Sequence, residues 1–230
     1  MNLLSSPKLL QSLSLSPLLT YLIVLLVQTT SQPDRFYMNG QETLNSMMRA
    51  ILVDWIVEVH QKFHLVPETL YLTVNIIDRY LSMVVVERKL LQLVGVTALL
   101  LACKYEEIYP PEVKDCVYIT DKAYGREQVL EMEAKMVKTL KFHLTVPTGF
   151  NFLTRFLNIT SASETVKNLA YYYSERMLQE YDSLKFRPSV LAAAAVTLAL
   201  NNPNAVEIDN RRLSPSDRGV VSRRMTDPIF

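Results

Sequence analysis

Two histidines are the residues whose types and spacing come nearest to metal chemistry in this sequence. His60 and His64 stand four positions apart, so a helix would place both imidazoles on one face, where they could share a metal ion. Gln61 follows His60, so the glutamate of an HExxH zinc motif is missing, and His143 lies far away in sequence. There is also no glycine-rich phosphate loop and no GxSxG motif. We therefore predict no metal, no cofactor and no catalytic residue, and interpret both histidines as surface or helix-end residues.

The helix that would carry these histidines contains an arginine on its apolar side. At about 100° per residue, positions 47–63 form a narrow polar sector and a broad apolar arc, which is typical of a helix surrounded by other helices. Arg49 falls inside the apolar arc, where an unpaired guanidinium is costly, so we predict an acidic partner elsewhere in the chain. Ile51 falls at the edge of the polar sector, beside Met48 and Trp55. Two interpretations of this edge are open: it is an exposed docking patch, or the three side chains pack under a neighbouring loop.

The composition favours an all-α protein that meets other proteins. With 230 residues, the chain has room for one large domain or two smaller ones. A net charge of +1 does not favour a nucleic-acid groove or a polybasic membrane patch. Only five glycines, beside many Leu, Val, Ala and Met residues, are typical of helices. Cys103 and Cys116 have no framework spacing, which favours a reducing compartment.

Apolar periodicity predicts two consecutive helical bundles. Pro67 suits the first position of a helix, whereas Pro110 and Pro111 end a helix that is apolar almost throughout and should be the buried centre of the first bundle. Four alanines at 192–195 allow close packing, so the last helix should be the centre of the second bundle. That helix has two predicted partners, and about half of its surface should therefore be exposed. The first bundle, 34–146, has five predicted helices (47–59, 67–81, 88–105, 112–119 and 126–141), and the second, 147–200, has three (147–157, 164–181 and 188–200).

The two ends of the chain differ in composition from the bundles. Residues 1–33 are rich in Ser and Leu, and the apolar stretch Leu18–Val27 would span about 15 Å as a helix, half of a bilayer core. One cation followed by a short apolar stretch is the outline of a signal peptide, but no small-residue cleavage site follows. We predict that residues 1–33 are disordered or the result of an error in the gene model, and that 201–230 form a disordered, Arg-rich tail.

Several motifs together resemble a known family. The segments Met48-Arg49-Ala50-Ile51-Leu52, Asp78-Arg79-Tyr80-Leu81-Ser82 and Lys104-Tyr105-Glu106-Glu107-Ile108-Tyr109-Pro110-Pro111-Glu112 occur in the order found in the cyclin box of a mitotic, B-type cyclin. The resemblance runs from about Tyr37 to about Leu200, and A-type cyclins share much of it. It implies an all-α protein of two five-helix cyclin boxes. With the helix count above, we predict that the first box is complete with five helices and the second incomplete with about three.

The resemblance also implies roles for particular residues. Arg49 and Asp78 correspond to the family's buried structural ion pair, and Lys104 and Glu133 to the charged pair that holds the regulatory helix of a kinase. The other residues implied for kinase binding are Tyr105, Val137, Phe142 and Leu144. The residues implied for a substrate-docking patch, which in this family receives Arg-x-Leu peptides, are Met48, Ile51, Leu52, Trp55, Glu58, Arg88 and Gln92.

The function implied is that of a regulatory subunit without catalytic activity. Such a subunit binds and activates a cyclin-dependent Ser/Thr kinase, recruits Arg-x-Leu substrates or inhibitors, and controls mitotic (G2/M) progression in the nucleus and cytoplasm. No nucleic acid and no membrane is expected as a partner. One alternative is a cyclin-box adaptor in transcription without kinase activation, which a basic groove would favour. A second is a membrane or secreted protein with a decayed box, for which residues 1–33 are the support.

The sequence departs from the family pattern at both ends. Residues 1–33 do not resemble the family's N-terminal helix, and the last two helices of the second box are not recognisable in 201–230. The first 40 residues contain no Arg-x-x-Leu destruction box and no Lys-Glu-Asn signal. The resemblance therefore does not predict proteolysis through those signals.

Overall fold

The computed structural model describes residues 17–202, with side chains from Tyr21 onward. The regular elements in this part of the chain are all helices, with no strand, which confirms the all-α prediction. Short 3-10 helices lie at Tyr37–Gly40, Arg88–Leu90 and Tyr181–Lys185. The α-helices are α1 (Pro17–Thr30), α2 (Ser46–Lys62), α3 (Pro67–Leu81), α4 (Leu91–Glu106), α5 (Val113–Ile119), α6 (Arg126–Thr139), α7 (Gly149–Ile159), α8 (Glu164–Gln179) and α9 (Pro188–Leu200).

Helices α2 to α6 form the first bundle, with α4 at its centre. Every residue from Leu91 to Cys103 is buried except Gln92, because the other helices of the bundle surround this apolar helix. Gly95 lies where α4 meets α2: a Cβ atom there would come within 2.6 Å of Leu52 Cδ1. The absence of a side chain at this position allows α2 and α4 to approach closely.

Polar side chains fix where the helices of this bundle begin. The Asn45 side chain accepts a hydrogen bond from Met48 N at 2.9 Å and caps α2. The Glu107 carboxylate, just after α4, accepts bonds from Val66 N at 2.8 Å and Thr69 Oγ1 at 2.6 Å. Glu107 therefore joins the end of α4 to the start of α3, where an anion also complements the helix dipole.

Helices α7, α8 and α9 form the second bundle. Its hydrophobic core consists of Phe152, Leu153, Leu157, Leu169, Ala170, Ala192, Ala195, Val196 and Ala199. On the opposite side of α9, Val190, Ala193, Ala194, Thr197 and Leu198 are exposed. About half of this apolar helix is thus open in the described part of the chain, in agreement with its shortage of predicted partners.

Helix α1 lies within residues 1–33, which were predicted to be disordered or the result of an error in the gene model, and it corrects the prediction of disorder for Pro17–Thr30. The Tyr21 ring meets Phe152 edge-on, with centroids 6.4 Å apart, and the Arg155 guanidinium lies 4.9 Å from the Tyr21 centroid. Near the other end of α1, Gln28 Oε1 accepts a hydrogen bond from Ser189 N at 3.1 Å. The apolar stretch folds because the second bundle offers it a partner, which no local pattern in the sequence reveals.

Parts of the terminal predictions lie outside the described residues, namely 1–16 and most of the predicted tail, 203–230. Across residues 17–202, no helix is both long and apolar enough to span a membrane.

Candidate functional site

The acidic partner of Arg49 is Asp78, which lies on α3. Arg49 Nε is 2.7 Å from Asp78 Oδ1 and Arg49 Nη2 is 2.7 Å from Asp78 Oδ2, so the pair is bidentate. The two side chains are 1% and 2% exposed. Burial by itself would lower the pKa of Arg49, but the Asp78 carboxylate raises it above its usual value, and the side chain stays charged.

Two further contacts extend this ion pair to the rest of the chain. Tyr37 OH donates to Asp78 Oδ1 at 2.8 Å, and burial followed by the Asp78 charge raises the pKa of Tyr37 far above its usual value. Arg49 Nη1 donates to the carbonyl oxygens of Leu178 at 2.9 Å and Gln179 at 3.1 Å, at the end of α8. The pair therefore joins α2 and α3 to the residues that precede them and to the second bundle.

The residues expected to bind a kinase come together on one face of the first bundle. Lys104 on α4 and Glu133 on α6 form an ion pair with Nζ and Oε1 2.5 Å apart, and the two side chains are 46% and 16% exposed. Next to Lys104, Tyr105 contacts Thr145 Oγ1 through its hydroxyl at 2.5 Å. Val137 continues this face along α6, and we call these residues with Phe142 and Leu144 the α4–α6 surface.

The turn after α6 presents the most exposed aromatic residue of this surface. Phe142 is 74% exposed, and Lys141 and Phe142 have φ values of 52° and 59°, a left-handed conformation that residues other than glycine rarely adopt. Hydrogen bonds from Phe142 N to Val137 O and from Lys141 N to Lys138 O close the helix in a Schellman motif. The conformation turns Phe142 outward, beside the end of α6.

The expected docking patch is only partly accessible. Ile51, Trp55, Glu58 and Gln92 are partly exposed and Arg88 is exposed. In contrast, Met48 is 5% and Leu52 0% exposed, which corrects the expectation that their side chains belong to the surface of a docking patch. Leu52 is covered because α4 approaches α2 at Gly95, and Met48 packs in the same core. These two side chains support the patch from below, and the other five form its surface.

The two histidines have separate roles in the structure. His60 Nε2 lies 2.9 Å from Val66 O, and burial lowers the pKa of His60. His64 has a φ of 54° just after α2, which places it in the turn that ends the helix. Among residues 17–202, no group of three or more His, Cys, Asp or Glu side chains could hold a metal ion.

Sequence reasoning gave no role to Tyr37, Glu107 or Arg79, although all three make buried or partly buried polar contacts. Each acts across helices on a group distant in sequence, so helical periodicity carries no signal for it. One signal could have found Arg79, since charged residues are rarely buried without a partner and α3 is a mostly apolar helix.

A five-helix bundle followed by a second helical bundle, with a buried Arg–Asp pair between the first two helices, defines a cyclin-box protein. The sequence matches the family models described as Cyclin, N-terminal domain, over residues 20–145, and Cyclin, C-terminal domain, over residues 147–213. The chain belongs to the cyclin family. Both matches extend beyond the two predicted bundles into the ends of the chain that did not resemble the family. Residues 20–33 are part of the first match and 201–213 are part of the second.

Within the family, two similar relatives are B-type cyclins. Cyclin-B2-1 of Oryza sativa subsp. japonica is 54% identical over 168 residues, covering 73% of this chain and 40% of the rice protein. Cyclin-B1-3 of Arabidopsis thaliana is 52% identical over 173 residues, covering 75% of this chain and 42% of its relative. The chain thus spans about two fifths of the length of these relatives.

A solved structure supports the fold at lower sequence identity. The viral cyclin from herpesvirus saimiri superposes with a TM-score of 0.71 at 18% identity, covering 90% of this chain and 96% of the viral chain. The two-bundle arrangement described above is therefore that of a cyclin.

Proposed function

We propose that this chain is a regulatory, non-catalytic subunit that binds and activates a cyclin-dependent kinase during mitosis, in the nucleus and cytoplasm of dividing cells. The observation that carries the proposal is the Lys104–Glu133 ion pair among exposed aromatic and partly exposed apolar side chains on the α4–α6 surface. The B-type identity of its relatives supports the mitotic assignment.

The charged pair supplies polar recognition for a helix of the kinase. An ammonium group has three donors and a carboxylate has two acceptor oxygens, so each partner retains capacity beyond the bond they share. A kinase is switched on when its regulatory helix moves inward and its Lys–Glu pair aligns on ATP and magnesium. The α4–α6 surface would hold that helix in the inward position by bonding to groups along it.

The exposed aromatic side chains supply the apolar part of the contact. Phe142 is 74% and Tyr105 43% exposed, although aromatic residues gain most from burial. Interfaces depend on a few such residues at their centre, surrounded by polar contacts that exclude water. On the α4–α6 surface, Phe142 and Tyr105 would be those central residues and the Lys104–Glu133 pair would fix the orientation.

We further propose that the exposed part of the docking patch recruits Arg-x-Leu substrates or inhibitors. Ile51 and Trp55 offer apolar surface, the Glu58 carboxylate offers charge to the arginine, and the Gln92 amide can meet peptide backbone. Weak docking of this kind raises the effective concentration of a substrate at the kinase. The transcription adaptor remains a weaker alternative, because a net charge of +1 gives little attraction for nucleic acid.

Precipitation from extracts of dividing cells, followed by a kinase assay on the captured material, tests this proposal. We expect the tagged 230-residue chain to capture a cyclin-dependent kinase and to raise its activity towards a peptide substrate. Capture without any rise in activity would instead indicate an adaptor, and failure to capture a kinase would contradict the proposal.

A further inference from the structure

Arg79 on α3 is a buried cation whose contacts are made to neutral groups. The residue is 6% exposed, and its Nη1 donates to His143 O at 2.9 Å and to Asn75 Oδ1 at 3.3 Å. Within the described residues, no carboxylate forms an ion pair with it. A buried guanidinium is retained only when its donors are used, and here they hold the backbone of another segment.

That segment is the left-handed turn at Lys141–Leu144. Bonds from Phe142 N to Val137 O and from His143 N to Leu140 O tie the turn to its own helix, α6. The Arg79 bond ties the same turn to α3. Because left-handed conformations of Lys141 and Phe142 persist only when their surroundings hold them, a contact from outside the helix contributes to their stability.

Asn75 connects this contact to the N-terminal part of the chain. Its Oδ1 accepts from Arg79, and its Nδ2 donates to Ser31 O at 3.2 Å, just beyond α1. Nη1 of Arg79 therefore donates to both Asn75 Oδ1 and His143 O, so the two bonds fix one end of the guanidinium between α3 and the turn.

We propose that Arg79 is a positioning residue for kinase binding: it fixes the turn at Lys141–Leu144 so that Phe142 and Leu144 face the kinase beside the Lys104–Glu133 pair. The inference rests on the proposed function, and it places Arg79, which is 6% exposed, beneath the binding surface rather than in it. Its effect on binding is carried by Phe142 and Leu144.

Hydrogen exchange in the free protein tests the positioning without any kinase. Replacing Arg79→Met keeps an apolar stem and removes the donor, so amide exchange at His143 and Leu144 should rise on the order of tenfold. Lys135→Met, an exposed substitution on α6, is the matched control and should leave these amides unchanged. Unchanged exchange in Arg79→Met would overturn the inference, even if the chain binds a kinase.

A double-mutant cycle then tests the effect on binding. Arg79→Met should weaken kinase affinity on the order of tenfold, and in a Phe142→Ala/Leu144→Ala background the same substitution should change affinity less than about twofold. Additive losses would mean that Arg79 supports the fold in general, and the inference would be wrong. If wild-type chain bound no kinase, the proposed function would fail while the exchange experiment still decided the positioning.

Arg79→Lys keeps the experiment decisive if Arg79→Met does not fold. Lysine retains the charge and a donor but loses the planar guanidinium, so it should restore part of the exchange protection and part of the affinity. Its remaining loss of affinity should also disappear in the Phe142→Ala/Leu144→Ala background. A loss of the same size in both backgrounds would overturn the inference.

Discussion

The Arg49–Asp78 ion pair should contribute strongly to the stability of the first bundle. Arg49→Ala leaves the Asp78 carboxylate buried without its cation, and it removes the donor to Leu178 O and Gln179 O. Breaking one partner of a buried pair costs about 3–5 kcal/mol, a large part of the roughly 5–15 kcal/mol by which a domain is stable. With a urea m-value of about 2 kcal/mol/M, the unfolding midpoint should fall by about 2 M.

Urea unfolding followed by far-ultraviolet circular dichroism at pH 7 measures this change. Lys167→Ala is the matched control, because the Lys167–Glu164 pair is on the surface, and its midpoint should not change measurably. The double variant Arg49→Met/Asp78→Leu should lose less stability than Arg49→Ala, since it leaves no buried charge. An Arg49→Ala midpoint equal to wild type would refute the reasoning.

Three other predictions follow from single side chains. Trp55→Ala should impair phosphorylation of substrates that carry Arg-x-Leu and spare peptides that lack it, because Trp55 is partly exposed in the docking patch. Equal losses of phosphorylation for both kinds of substrate would mean that Trp55 is a core residue only. The pKa of His60 is lowered in the folded state, so the folded protein binds fewer protons than the unfolded chain. The free energy of unfolding, measured by urea titration, should therefore fall as the pH drops below about 6.5, and it should fall less in His60→Asn. Burial raises the pKa of Cys103 and Cys116 to about 12, so both thiols should resist a thiol reagent at pH 8 until urea unfolds the chain; rapid reaction of the native protein would contradict their burial.

The parts of the fold predicted correctly are those with local signals. Helix α4 is apolar almost throughout and is followed by two prolines, and α3 begins at Pro67, so pattern and end signals agree. Helix α1 was missed because its apolar stretch resembles both a targeting segment and a helix. Its partner surface, including Phe152, belongs to a bundle more than a hundred residues later, and no local pattern specifies that contact.

In the candidate site, the sequence predicted which buried charge needs a partner better than it predicted which side chains are exposed. Arg49 needed an acid because it lay on the apolar arc, and Asp78 supplies it. The burial of Leu52 depends on how closely α4 approaches α2 at Gly95, and helical periodicity does not specify that distance. Arg79 likewise bonds to a backbone carbonyl, which has no signature in the sequence.

Kinase affinity of Lys104→Ala and Glu133→Ala, measured by titration with a purified cyclin-dependent kinase, tests the central claim most directly. Hydrogen bonds to charged groups contribute about 1.5–3 kcal/mol each, so each variant should bind roughly tenfold to a hundredfold more weakly. Their circular dichroism should stay unchanged, since Lys104 is 46% exposed and the pair lies at the surface of α4 and α6. Lys167→Ala should bind like wild type. Wild-type affinity in both Lys104→Ala and Glu133→Ala would contradict the assignment of the α4–α6 surface as the kinase-binding site.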